Sequence, residues 1–280
     1  MFPGATASRD DAAYVVVGAP LDVSTSFRPG TRFGPERIRR FARPFDDYDR
    51  RTDLQFSELA VHDHGDVRAW DDAPAYLTWL GGELRDVVAD GATPLVLGGE
   101  HTVSAAGVGA VDPDVFVCLD AHLDLRTAYD GNSYSHATVT RRVLDGGEMN
   151  DETGGDDDSG AGADTVAGDE KWSAASVEEA VILGARTGAP DEWERAGGSD
   201  VTVVAPEDVG GFDLDAHLGG RSAYLSVDID AADPGFAPGA GTPEPFGLTP
   251  REMRAVVRAA APHVGGFDVV EVNDRDDGQA

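Results

Sequence analysis

The chain has 280 residues, enough to bury one large core, and at this size an α/β chain commonly stays a single domain, expected here over 1–280. Asp and Glu number 52 against 22 Lys plus Arg, a formal charge of -30 with Lys171 the sole lysine, which excludes nucleic acid as a partner. No run approaches the ~20 apolar residues of a membrane helix, and no basic region followed by an apolar segment opens the sequence, so a soluble, cytoplasmic protein without membrane contact is expected.

Short apolar or β-branched runs at 14–20, 59–67, 94–99, 115–120, 180–185, 201–205, 223–230 and 267–272 predict eight strands. Helical patterns fall between several of them, at 73–90 and at 249–261. The second is opened by Thr249 with Glu252 three positions on, a capping box. Continuous apolar strands alternating with helices predict an α/β fold: three αβα layers around a mostly parallel, doubly wound sheet of about eight strands. Ligands in such sheets bind beyond the carboxyl ends of the strands. Residues 146–170, rich in Gly, Asp and Ser, lack the apolar surface to offset their ordering entropy and read as a disordered acidic insertion. Cys118, the single cysteine, lies inside an apolar run and reads as a small core residue.

Three strand ends carry ionisable residues. "PLVLGGEH" ends at His101, "VCLDAHLDLR" continues into Asp120, His122 and Asp124, and "AYLSVDID" ends with Asp228 and Asp230. Alternate positions of a strand share a face, so these residues would crowd together at one rim. One D-x-D means little in so acidic a chain, but these follow buried strands directly. Unpaired, four carboxylates and two imidazoles would repel and lose hydration; two divalent cations would cancel the charge and complete the hydrogen-bonding partners. A donor set without thiolate favours a borderline-hard ion such as manganese over structural zinc.

"GGEH" (98–101), "DAHLD" (120–124) and "SVDIDAADP" (226–234) resemble, in order, the three metal motifs of the ureohydrolases, the family of arginases and agmatinases. The resemblance spans nearly the whole chain. It implies two Mn2+ per subunit, one held by His101, Asp120, Asp124 and Asp228 and the other by Asp120, His122, Asp228 and Asp230, with Asp120 and Asp228 bridging. A metal-bridging hydroxide would then attack a guanidinium carbon, releasing urea and an amine. His136, in "YSHAT", matches the proton-shuttling histidine, and Glu271, in "DVVEVN", the carboxylate that pairs with the guanidinium; Asn132 and Thr242 are further expected substrate contacts. The segments 27–40 and 241–252 resemble agmatinases more than arginases, so agmatine hydrolysis to putrescine and urea is expected. Guanidinobutyrase, aminopropylagmatine ureohydrolase, arginase and a non-catalytic metal-binding paralogue are the alternatives.

The resemblance also implies a small cationic guanidine as substrate and a homo-oligomer, trimer or hexamer. Arg28, Arg32 and Gly34 are expected to shape the site or a subunit contact. The acidity points to a halophilic archaeal source, and at ~1 M salt the Debye length of ~3 Å leaves recognition of a cation to direct contact. A last C-terminal helix of the family is expected to be absent. "VHDHGD" (61–66) matches the start of a metallo-β-lactamase-like signature, but Val67 replaces its closing histidine and a plain strand is expected.

Overall fold

The structure, a computed structural model, describes residues 1–146 and 176–273. In chain order its elements are β1 (Tyr14–Ala19), α1 (Gly34–Ala42), a short hairpin of β2 (Tyr48–Asp49) and β3 (Leu54–Gln55), β4 (Val61–Asp66), α2 (Ala73–Ala89), β5 (Thr93–Gly98), α3 (Ser104–Val111), β6 (Val115–Leu119), α4 (Val139–Asp145), β7 (Glu179–Leu183), α5 (Pro190–Ala196), β8 (Val201–Val204), α6 (Pro206–Val209), α7 (Leu214–Leu218), β9 (Ala223–Asp228), α8 (Pro250–Ala260) and β10 (Val264–Val270). Nearly all of the expected insertion, from 147 to 170, and the residues beyond 273 lie outside the described residues.

All eight expected strands form, and they make one sheet in the order β4-β1-β5-β10-β9-β6-β7-β8 with every neighbouring pair parallel. Both faces are covered, which is why strands such as β1, β6 and β7 run apolar instead of alternating. On one face Val15, Val17, Phe116, Cys118 and Ile182 pack against α2, α3 and α4. On the other, Val115, Val117, Leu119 and Leu225 pack against α6, α7 and α8, while α1 covers Val16 and Leu97 through Ile38. The capping box at Thr249 is present, with the Thr249 and Glu252 side chains each bonded to the other's backbone N–H. Helices shorter than the two expected escape a periodicity argument; α3, SAAGVGAV, is apolar on every side because it is buried.

The chain lays β1 and β4 outward on one side, crosses after β5 to build β6, β7 and β8 on the other, and returns with β9 and β10 to fill the centre. The ends of β5, β10, β9 and β6 therefore lie side by side, with Leu97 level with Val269, Val270 with Asp228 and Val227 with Leu119. This is the rim on which the candidate ligands stand.

At the β4 edge, Arg39 of α1 forks onto Asp63, with Nε 3.0 Å from one carboxylate oxygen and Nη2 2.8 Å from the other, and reaches Asp66 with Nη1. Gly18 makes room for this arrangement: a Cβ there would lie 1.8 Å from an Asp66 oxygen. Asp63 is fully enclosed, and burial raises its pKa, but the Arg39 bonds and charge, with hydrogen bonds from Gly65 N and Phe2 N, more than offset this and hold it below the ordinary carboxylate value. Its contribution is therefore complete above the unfolded pKa of about 3.9 and is lost as pH falls through the lower folded value. Arg39→Ala, which strands a buried carboxylate, is expected to lower stability by about 3–5 kcal/mol in urea unfolding at pH 7, with the deficit shrinking below about pH 4.

Candidate metal centre

The ligand candidates do not reach one another by strand alternation. β6 stops at Leu119 and β9 at Asp228, and each chain then turns. The same local device makes both turns: Asp120 Oδ1 accepts from His122 N (2.7 Å) and Asp228 Oδ1 from Asp230 N (2.8 Å), the Asx geometry by which aspartate bonds the backbone two residues on. Ala121 N donates to Asp230 Oδ1 (3.1 Å), tying the two turns together. Asp124 adopts a left-handed backbone (φ 52°), and its carbonyl accepts from Arg141 N of α4. Turns, not an extended pleat, bring Asp120, His122 and Asp124 to one point.

Two nests result. His101 Nδ1 lies 3.1 Å from Asp120 Oδ2, 3.0 Å from Asp124 Oδ2 and 3.5 Å from Asp228 Oδ2. His122 Nδ1 lies 3.0 Å from Asp230 Oδ2 and 3.5 Å from Asp120 Oδ1. Asp120 faces both with one oxygen each, so the nests are adjacent and share a carboxylate. The electrostatics record the crowding. Burial, reinforced by Asp120, pushes the Asp124 carboxyl up to about 6, and burial with Asp230 and Asp120 puts Asp228 well above its usual range. Burial would lower His122, but Asp230 and Asp120 drive it up to about 12. Carboxylates that resist ionisation beside imidazoles that hold their protons are what a cation-binding cluster looks like with protons in place of metal.

His101 Nδ1 is buried without a hydrogen bond, while Nε2 meets Ser226 Oγ at 3.1 Å. The Ser226 hydroxyl donates to Asp268 Oδ1 (2.6 Å), so its oxygen is free to accept from Nε2–H. That leaves Nδ1 as the nitrogen turned to the carboxylates and the one that would ligate a metal on losing its proton, the usual service of outer residues to a metal-ligating histidine. Cys118 Sγ lies 3.6 Å from the same Nε2 and 3.7 Å from Asp120 Oδ2. His101, Cys118 and Asp120 each bring a ligand atom to one point, but burial raises the thiol pKa strongly, which disfavours Cys118 as a ligand beside the carboxylates. The donor set that fits a metal pair is thus His101, His122 and the four aspartates.

Glu271 follows β10 in a left-handed conformation (φ 59°) and is buried. Its Oε1 accepts from His101 N (2.8 Å) and lies 3.3 Å from His136 Nδ1, while Oε2 is buried without a partner. Burial would lower the His136 pKa, but the Glu271 hydrogen bond and charge raise it to about 9. His136 Nε2 faces Ser26 Oγ (2.9 Å) and Ser26 N (3.2 Å). Glu100 anchors this loop: its carboxylate accepts from Val23 N, Ser24 N, Ser24 Oγ and Thr102 Oγ1, and Ser24 Oγ in turn accepts from His136 N. Gly99 permits the approach, since a Cβ would lie 1.9 Å from Leu21 O. Ser24, Ser26, Glu100, Ser226 and Asp268 were not singled out from sequence; a charged residue inside the apolar run at 267–272 was the available signal for Asp268.

A cavity of about 710 Å³ opens above the nests, its wall including His122, Asp124, His136, Asp228, Asp230 and Thr242. Thr242 Oγ1 donates to Asp230 Oδ2 (3.3 Å). Asn132 does not reach the cavity: it is exposed, and its Oδ1 accepts from Tyr134 N. Of the three N-terminal candidates, Arg28 lines the cavity, Arg32 pairs with Asp22 (3.3 Å), and Gly34 opens α1 where a Cβ would press on Gly98 O and Val272 O at 3.0 and 3.1 Å. His62, His64 and Asp66 lie on the β4 edge, away from the central strand ends, as a plain strand.

The arginase family model matches residues 12–280. An agmatinase of Pyrococcus horikoshii is 31% identical over 273 residues, covering 94% of this chain and 84% of its own length, and an N(1)-aminopropylagmatine ureohydrolase of Thermococcus kodakarensis is equally identical, with 94% and 83% covered. Among solved structures, the agmatine ureohydrolase of Thermoplasma volcanium superposes with a TM-score of 0.83 at 30% identity, over 99% of this chain and 88% of that one. The family match over nearly the whole chain, with relatives at 31% identity, leads to one conclusion: the chain belongs to the arginase family and is a hydrolase of the ureohydrolase type.

Proposed function

We propose that the chain hydrolyses agmatine to putrescine and urea at a pair of manganese ions. The observation that carries this reading is the pair of adjacent nests sharing Asp120. His101, Asp120, Asp124 and Asp228 would hold one ion and Asp120, His122, Asp228 and Asp230 the other. Bound there, the pair supplies the positive charge that the carboxylates lack and lowers the pKa of a water molecule towards neutrality for attack on the guanidinium carbon.

The chain's own residues do the rest. Ser226 and Asp268 hold His101 with Nδ1 turned to the carboxylates, and Thr242 steadies Asp230. Glu271, with its buried unpartnered Oε2, pairs with a substrate N–H, and His136 delivers a proton to the departing amine. Agmatine is supported by the names of the relatives and by the resemblance of 27–40 and 241–252. A longer amine tail, as in N(1)-aminopropylagmatine, is the second reading, because the relative bearing that name matches as well as the agmatinase does.

Urea release from the manganese-loaded protein in high salt, with agmatine, N(1)-aminopropylagmatine, arginine and 4-guanidinobutyrate in parallel, is expected to be fastest for agmatine. Preference for arginine would overturn the substrate, and no urea from any guanidine would leave a non-catalytic metal binder. Asp120→Ala is expected to bind fewer than two manganese ions per chain by elemental analysis and to lose turnover, whereas Cys118→Ala keeps both ions. His136→Asn is expected to keep both ions and lower kcat by about 10²–10⁴-fold, the usual worth of a general acid.

A further inference from the structure

Five carboxylates stand on the cavity wall: Asp124, Glu192, Asp228, Asp230 and Glu244. Four are committed. Asp124 and Asp228 face His101, Asp230 faces His122 and Thr242, and Glu192 accepts from Ala189 N (2.8 Å) and Leu125 N (3.2 Å) and pairs with Arg126 Nε (3.0 Å). The Glu244 carboxylate has no hydrogen bond or ion pair to any described residue.

Unpaired acids are common on so acidic a chain, but the Glu244 backbone is held in a way theirs need not be. It lies between Pro243 and Pro245, whose rings fix φ. Arg186 clamps the same segment, donating from Nη2 to Glu244 O (2.7 Å) and from Nε to Pro245 O (3.0 Å), while Nη1 reaches Gly184 O (3.0 Å). Arg186 senses the Glu244 charge but directs these N–H groups to main-chain carbonyls. A half-buried carboxylate is thus presented to the cavity on a backbone ordered in advance, the condition under which a charged contact adds affinity instead of losing it to ordering. The competing charge is Arg28, which is exposed and stacked on Phe27 at 5.1 Å.

We propose that Glu244 receives the distal ammonium of the substrate, so that the cavity selects guanidines with a cationic tail over those with a carboxylate tail. This rests on the metal nests being the place where the guanidinium is cleaved.

The test compares agmatine with 4-guanidinobutyrate, which carries a tail of opposite charge, in the manganese-loaded full-length protein at fixed ionic strength. Glu244→Gln is expected to raise KM for agmatine by about tenfold, the worth of one charge-assisted hydrogen bond, with kcat little changed. KM for 4-guanidinobutyrate should stay level or fall, and Glu244→Asp should recover part of the agmatine preference. Equal losses on both substrates, or no change in their kcat/KM ratio, would overturn the proposal while sparing the hydrolase reading. So would a ratio that responds to Arg28→Gln and not to Glu244→Gln. A wild-type protein that releases urea from neither compound overturns the cleavage reading and this proposal with it.

Discussion

Four buried carboxylates, a buried imidazole and a half-buried one, each within 3.5 Å of a neighbour, crowd together where the central strands of a parallel sheet end. Like charges so placed repel, and without a counterion some must take up protons, as the raised Asp124 and Asp228 show. The neighbouring structure is arranged so that this costly cluster stays in position. Asp120 and Asp228 restrain their own turns, Ser226 and Asp268 hold the imidazole of His101, and Glu271 bonds both the His101 backbone and the His136 ring.

The topology makes the cluster geometrically possible. The insertion of β10 and β9 between β5 and β6 brings four carboxyl strand ends side by side, at the edge of a parallel sheet where ligands bind. Loop 22–26 closes one side of the site through Glu100, and loop 241–247 closes another through Arg186. Binding chemistry is thus carried by irregular segments, while the sheet supplies their rigid footing.

Much of this was legible in the residues. Apolar runs bounded by glycine and charge gave all eight strands of the main sheet, since a strand buried on both faces has few other ways to be written. The motifs at 98–101, 120–124 and 226–234 gave the six residues that the structure brings together. What did not follow was how they meet: alternation suggested an extended pleat, whereas side-chain-to-backbone bonds turn the chain just after Leu119 and at Asp228. Asn132 lies off the cavity wall for a similar reason, its Oδ1 being engaged by the turn it sits in. The supporting roles of Ser24, Glu100 and Asp268 depend on partners 42 to 112 residues distant, for which local pattern carries no signal.

Because β10 lies between β5 and β9, the sheet before its arrival consists of two unconnected pieces, β4-β1-β5 and β9-β6-β7-β8, each with an open hydrogen-bonding edge facing the other. During synthesis those edges wait until β10 has been made, and an edge left waiting is an invitation to pair with another copy. The strand that joins the pieces is also the one followed at once by Glu271. Closing the sheet and delivering that carboxylate beside His136 are therefore a single event, and a chain caught before it has His101 on one fragment and the aspartates on the other.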